Sequence, residues 1–377
     1  MSLPLPQQLS VRIRFWSFVS MLLLVYVHGY NLNDRFLHPW TMPGEAMTVT
    51  AFLEYLFANG LLRFRIPMLF AVSGYLFALR DGAPYGPRIA RRAKTLLLPH
   101  LLWTGASLAA ILLIEQSAFG RSLVAATNLL RLDEQRALLS QHAWYEALAR
   151  LTVATPSYQF WFIRALFVYN LLYPFLRWWT ATSAGRWSFF PLAVALWLLP
   201  VGVPFIEGEG FLFFTLGVVL QKRGADIGGA PPLMPVTLWS ALFIATAVLK
   251  TLIAFHAVVL PADAAPVVML LLHKTSVLTG LIAAWFGLSS VAAWCMERRW
   301  FAWSSAFSFV IYAAHAPFIA FAVDAYVRTA GHLPFARLAG FILLPALIIL
   351  LSIALGAAMR RWTPSVYGVM TGGRGMM

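Results

Sequence analysis

Charge is what this sequence has least of. Asp, Glu, Lys and Arg make up 11% of its 377 residues, less than half of what a water-soluble surface needs. Soluble enzymes and nucleic-acid modules are excluded on that ground, although a net charge of +14 would point to nucleic acid in a soluble domain. Cysteine is almost missing as well. Cys295 stands alone, which excludes an internal disulfide, a cysteine-based metal site and a secreted disulfide scaffold. No repeat of fixed period runs along the chain, and its halves show none of the mutual similarity that marks inverted-repeat transporters.

Apolar residues fill the space that charge leaves. They form 60% of the chain, with a mean hydropathy of +0.75, and the aromatic 15% includes 15 Trp suited to interfacial belts. Runs of membrane-spanning length are expected near 12 to 30, 52 to 79, 95 to 114, 160 to 176, 188 to 206, 211 to 221, 236 to 256, 267 to 290, 301 to 323 and 338 to 358. With the N-terminus inside, sixteen Lys and Arg fall on inner segments and seven, Arg35 among them, on outer ones, while acids such as Asp34 and Glu134 collect outside. That bias predicts an even number of spans with both termini cytoplasmic. The first run is too long for a signal-peptide core and is read as a retained helix. The most hydrophilic stretch, 115 to 157, has helical spacing in LLRLDEQRALLSQHAWYEALARL and is expected as an outer amphipathic cap. The fold class expected is an all-α polytopic bundle of about ten transmembrane helices, one domain over 1 to 377.

Chemistry in a bilayer shows itself through polar groups that are expensive to place there. His28 ends an otherwise uncharged run in MLLLVYVHGYN and suits a general base; the plain alternative is an inert interfacial histidine. Arg63 and Arg65 precede a proline and an apolar run. Two residues apart on a helix they face different directions and do not serve one partner; one holds an anionic donor or, alternatively, one pairs with Glu54 in a plain structural ion pair. Ser73 and Gly74 give a small pair whose better reading, for Gly74, is close helix packing. Arg88, Arg91 and Arg92 share one helical face before Lys94, a cradle for phosphates or simply a positive-inside loop on anionic lipid. Gln159, Trp161 and Arg164 follow, then Lys250, His273, Lys274 and His315. Lys250, near a span end, is expected to snorkel to the interface.

Taken in order, LLLVYVHGY, IPMLFAVSGYLFA, RIARRAKTLLLPHLLW, QFWFIRALFVYNLL, FLFFTLGVVL and SFVIYAAHAPF resemble the acyltransferase 3 family of multispanning membrane acyltransferases over nearly the whole chain, and WTPSVYGVMTGGR resembles endings of bacterial members. The resemblance implies an O-acyltransferase of the bacterial inner membrane. It would take an acyl group, usually acetyl from cytoplasmic acetyl-CoA as a substrate with no tightly bound cofactor or metal, and pass it to a hydroxyl of an exported carbohydrate such as exopolysaccharide, O-antigen, glucan or a lipid-linked repeat unit. Its partners would be that carbohydrate, membrane lipid and glycan-assembly proteins, not nucleic acid. His28 aligns with the family's catalytic histidine, as a base or a transient acyl carrier. Arg88 and Arg91 match the basic pair of the first cytoplasmic loop. With the residue reading above, donor binding is expected of Arg14, Arg63, Arg65, Arg88 and Arg91, and shaping of the site of Ser73, Gln159, Trp161, Arg164 and His315. Many members carry Arg or Lys eleven residues before the first-helix histidine; here Ser17 stands there, with Arg14 one turn earlier.

Other classes predict other features. A transporter or flippase of glycan or acyl intermediates would share the spans and the buried charges without acyl-transfer chemistry. Lipid-modifying membrane acyltransferases share an intramembrane histidine but not this pattern of spans. Peripheral glycerolipid acyltransferases use a histidine and an aspartate separated by four residues; Asn33 occupies that acid's position here, and Asp34 lies one residue too far.

Overall fold

The computed structural model describes residues 5–31, 38–133, 135–199, 202–203, 205–231, 235–256, 260–261 and 263–376. Asn33, Asp34, Arg35 and Glu134 lie outside the described residues.

Helices dominate. In chain order they are α1 (Gln7–His28), α2 (Val49–Tyr55), α3 (Arg65–Leu79), α4 (Tyr85–Arg92), α5 (Leu98–Ile114), α6 (Ala118–Ala126), α7 (Trp144–Thr152), α8 (Trp161–Trp179) and α9 (Ser183–Leu198). The series continues with α10 (Gly208–Lys222), α11 (Val236–Phe255), α12 (Ala264–Gly287), α13 (Ser289–Glu297), α14 (Arg299–Ser305), α15 (Ser308–Ala314), α16 (Phe318–Ala330), α17 (Ala336–Trp362) and α18 (Pro364–Thr371). Wider π-helical turns, Leu56–Leu61 and Ala93–Leu97, lead into α3 and α5. The strands, β1 (Gly202–Val203) and β2 (Ile206–Glu207), form one short antiparallel ribbon.

Six helical segments are long and apolar enough to cross a membrane: Gln7–His28, Val49–Leu79, Tyr85–Ile114, Val236–Phe255, Ala264–Gly287 and Ala336–Trp362. A seventh follows if α15 and α16, bent by 60° at a break, are one span. The all-α polytopic expectation stands, but the ten expected spans are not equivalent. α9 and α10 have 16 and 15 residues, short of the roughly 20 needed to cross the hydrocarbon. α8 has 19 residues but carries Arg164, Asn170, Pro174 and Arg177. The basic stretch expected as a loop at 88 to 94 is helical, because α4 runs through the π turn into α5.

The chain packs as two compact units: 1–23, 32–92 and 164–305 in the first, and 24–31, 93–163 and 306–377 in the second. In unit 1, α3 and α10 run side by side with no room for a side chain at their crossing. A Cβ on Gly74 would lie 2.0 Å from the Phe214 carbonyl oxygen, and one on Gly217 1.9 Å from that of Ala71. Gly74 is thus a packing residue, which lets two backbones meet as small residues do in membranes. Phe70, Tyr169 and Phe214 stack against this pair.

In unit 2 the stretch 115 to 157 is more than an amphipathic cap. Leu123, Val124, Leu130 and Leu139 bury themselves with Ile111 and Phe321 in an apolar cluster. The Glu115 carboxylate accepts from the backbone N–H groups of Leu139 and Ser140 at 2.8 and 2.9 Å. Arg150 donates to the Leu130 and Ala154 carbonyls at 2.8 and 3.3 Å. These bonds satisfy backbone groups that no regular element would otherwise serve.

Candidate functional site

Within unit 2 the two histidines singled out in the sequence meet. His28 is the last residue of α1, where Gly29 fits against Pro345 of α17 with no space for a Cβ (2.6 Å). His315 caps α15, and helical bonding breaks just beyond it at Pro317, which has no N–H to give. The rings stack at 5.2 Å between centroids, with His28 Nδ1 3.0 Å from His315 Nε2. His315 is fully buried, and its Nδ1 lies 3.0 Å from the Ile311 carbonyl oxygen.

That last contact assigns the protons. A carbonyl only accepts, so His315 Nδ1 carries the hydrogen and, in the neutral ring, its Nε2 keeps a lone pair. The bond between the rings then needs a hydrogen on His28 Nδ1, and the basic lone pair of His28 falls on Nε2. Orientation of one imidazole through its other nitrogen is the usual way to fix a tautomer.

Two flanking residues complete the cluster. The Tyr158 ring packs edge-on to His28 at 4.8 Å. Gln159, 2% exposed, donates both amide N–H bonds to carbonyls at the α15–α16 break, Ala313 at 3.0 Å and Ala316 at 3.2 Å. Its side-chain oxygen has no hydrogen-bond partner among the described residues. Tyr312 donates to the Gln159 carbonyl at 2.7 Å. Trp161 opens α8 one step beyond the turn Tyr158–Phe160 and stays within unit 2.

The remaining expected site residues belong to unit 1 and do not form one group. Arg14 donates to Ser305 Oγ at 3.0 Å and to the Ala302 carbonyl at 2.8 Å, tying α1 to α14. Arg63 donates to the Ala58 carbonyl and the Asn59 side chain, and Arg65 to the Leu62 carbonyl at 2.6 Å. Ser73 sits half-buried beside Gly74. Arg164 lies over the Phe205 ring at 5.0 Å.

Arg88 is the most heavily engaged. It meets Asp81 at 3.3 Å, donates to the Phe77 carbonyl and lies over the Phe77 ring at 4.2 Å. Asp81 also binds Arg177 at 2.8 Å and Lys222. Arg91, on the same helix, is exposed. Arg65 and Asp81 mark opposite ends of α3, about 20 Å apart at 1.5 Å per residue, so one phosphate cannot be shared between them.

Sequence reasoning missed Tyr158, Tyr312 and the Asp81 hub. Asp81 alone left a trace, as an acid in an otherwise basic stretch. Lys250 does not snorkel. It is fully buried, with its ammonium donating to the Pro39 carbonyl at 2.9 Å, to the Asn59 carbonyl and to His273 Nδ1 at 3.2 Å. Three acceptors for three N–H bonds hold it inside. Among the described residues no group of three or more His, Cys, Asp or Glu is placed to hold a metal ion.

No solved structure matches the chain. The succinoglycan biosynthesis protein ExoH of Rhizobium meliloti (strain 1021) is 26% identical over 178 residues, which are 46% of this chain and 45% of that protein. The chain thus aligns with about half the length of that curated relative. The model of the acyltransferase domain family matches residues 11–360, a span that runs from the start of α1 almost to the end of α17 and takes in both histidines. The chain belongs to that acyltransferase family.

Proposed function

We propose that the protein is a membrane O-acyltransferase that moves an acyl group, acetyl from cytoplasmic acetyl-CoA, to a hydroxyl of an exported carbohydrate. The observation that carries the reading is the His28–His315 pair, whose anchorage on Ile311 leaves the Nε2 lone pair of His28 as the base. Family membership supplies the acyl-transfer class, and the partial likeness to a succinoglycan biosynthesis protein favours a polysaccharide acceptor.

A sugar hydroxyl is a weak nucleophile until its proton is removed. In the direct route, His28 Nε2 takes that proton as the oxygen bonds to the thioester carbonyl carbon. The C–S bond then breaks and the sulfur leaves with the proton from His28. In the covalent route Nε2 itself attacks, an acyl-imidazole forms as the thiol departs, and the hydroxyl displaces the imidazole in a second step. His315 orients the ring in both and touches no reacting atom. Arg91 is the exposed member of the basic pair, and its guanidinium would meet donor phosphates.

His28→Ala should lower acyl transfer from acetyl-CoA to glycan by about 100-fold or more, the scale of general-base loss, with expression unchanged. His315→Ala should keep measurable turnover, and His315→Gln, which restores an acceptor to His28 Nδ1, should recover part of the deficit. Acylated glycan is measured by mass spectrometry, and near-normal product from His28→Ala would defeat the reading.

A further inference from the structure

The end of unit 1 opposite Asp81 holds positive charge that its own groups do not use. Arg65 opens α3 and is 2% exposed; it has one hydrogen bond, to Leu62, and its Nε meets no acceptor among the described residues. Lys274 on α12 is 7% exposed. Its ammonium stands between two indoles, 5.3 Å from the centre of Trp40 and 4.8 Å from that of Trp197. Among the described residues it has no hydrogen bond, and no carboxylate lies within 4.0 Å.

The charges that act on Lys274 are Glu209 and Glu207, and those that act on Glu209 are Lys274, Arg63 and Arg65. Trp197 Nε1 fixes Glu209 at 3.3 Å. Lys250, with its three acceptors, shares Asn59 with Arg63 and has no donor left over. Three basic side chains, Lys274, Arg63 and Arg65, therefore act on Glu209. Lys274 and Arg65 are the two with donors still open.

A buried donor such as Arg65 Nε costs stability unless an acceptor arrives. Cation–π contact with the two indoles eases the charge of Lys274 but accepts none of its N–H bonds. An incoming group has to remain anionic beside Glu209 and accept from an arginine edge and an ammonium together. A phosphodiester does both, since it is a permanent anion with several acceptor oxygens.

We propose that Arg65 and Lys274 bind the phosphate linkage of a lipid-borne acceptor, the diphosphate or phosphodiester that joins a sugar to its membrane anchor. The proposal rests on the O-acyltransferase reading above. The Lys/Arg bias puts the Asp81 end at the cytoplasmic face and turns this end toward the outer one, where an exported sugar would present its linkage and a cytoplasmic thioester donor would not. A soluble phosphate donor such as CoA is the competing source of the same chemistry.

The test uses the full chain purified in detergent, with tryptophan fluorescence and melting temperature as readouts. The probes are farnesyl diphosphate, inorganic pyrophosphate, CoA and sodium glucuronate. Both diphosphate probes should quench fluorescence and raise the melting temperature, farnesyl diphosphate at the lower concentration, while glucuronate does neither. Lys274→Met and Arg65→Met should each raise the half-saturating farnesyl diphosphate concentration by about tenfold or more, the effect of one lost charge-assisted hydrogen bond. Lys274→Arg should retain binding.

Glucuronate binding as well as diphosphate, or a response that both charge-removing variants leave unchanged, overturns the proposal. CoA binding that depends on Lys274 overturns the lipid-borne assignment and gives the site to the donor. Should the variants not fold, the order of probes on the wild-type protein decides alone. His28→Ala separates the two readings: it should bind farnesyl diphosphate normally. Normal transfer by that variant would sink the O-acyltransferase mechanism, whereas absent diphosphate binding beside intact transfer would sink only this site.

Discussion

Asp81 takes three cationic partners, Arg88, Arg177 and Lys222, and this sets its response to acid. Burial opposes its charge, but the hydrogen bond from Lys222, the nearby Tyr173 hydroxyl and the charges of Lys222 and Arg177 outweigh it and hold the carboxyl below its usual 3.8. A group with a depressed folded value stabilises fully above its unfolded value and loses that contribution as the pH falls through the folded one. The melting temperature of the wild-type protein should therefore drop below pH 4 more steeply than that of Asp81→Asn, which starts lower at neutral pH; parallel curves would remove Asp81 as the cause. The same hub makes Arg88 a poor reporter of donor binding, because its loss also undoes Asp81. His28 was legible as a lone polar group at the end of an apolar run, but its partner lies 287 positions away, and no local pattern can announce such a pair. Lys250 misled for the same reason. Spacing placed it near a span end, and only tertiary structure supplied the three acceptors that keep it buried.

Elements were more legible than contacts between them. The period of apolar residues revealed the long helices, since backbone groups in hydrocarbon must bond within their own segment. The same rule does not forbid short or polar helices shielded by neighbours, and hence α8, α9 and α10 read as full spans. Small residues at a helix crossing were also visible in sequence, as Ser73 and Gly74, although the matching Gly217 was not singled out. Gly217→Ala places a methyl carbon 1.9 Å from the Ala71 carbonyl oxygen, and since the obstacle is backbone, whole helices must shift. The cost should reach or exceed the roughly 1 to 3 kcal/mol of an overpacked core. Thermal unfolding of the purified variant, against Gly86→Ala where nothing lies within 4 Å, checks this. Equal melting temperatures would mean that α3 and α10 separate easily.

At the scale of the whole chain, the Lys/Arg bias predicts that the segment after α3 faces the cytoplasm and that 115 to 157 face outward. With Cys295 replaced, an impermeant thiol reagent applied to intact cells should label Ser140→Cys and spare Ala83→Cys. Ser140 and Ala83 are both exposed, so the reverse pattern would invert the topology. The compact build of 115 to 157 was not legible, because Glu115 and Leu139 are joined across 24 positions. Gln159 shows how far such long-range bonds constrain heredity. Its codons lie one nucleotide from those of glutamate, a side chain of the same size and shape. Yet in Gln159→Glu a carboxylate oxygen would replace the amide nitrogen that now bonds the Ala313 and Ala316 carbonyls, so that oxygen would face oxygen twice. That single-letter change should abolish activity in a screen of random variants, while Gln159→Asn, two letters away from either glutamine codon and shorter by one carbon, leaves a weak yield of the acylated product; frequent recovery of active Gln159→Glu clones would show that the break between α15 and α16 tolerates a carboxylate.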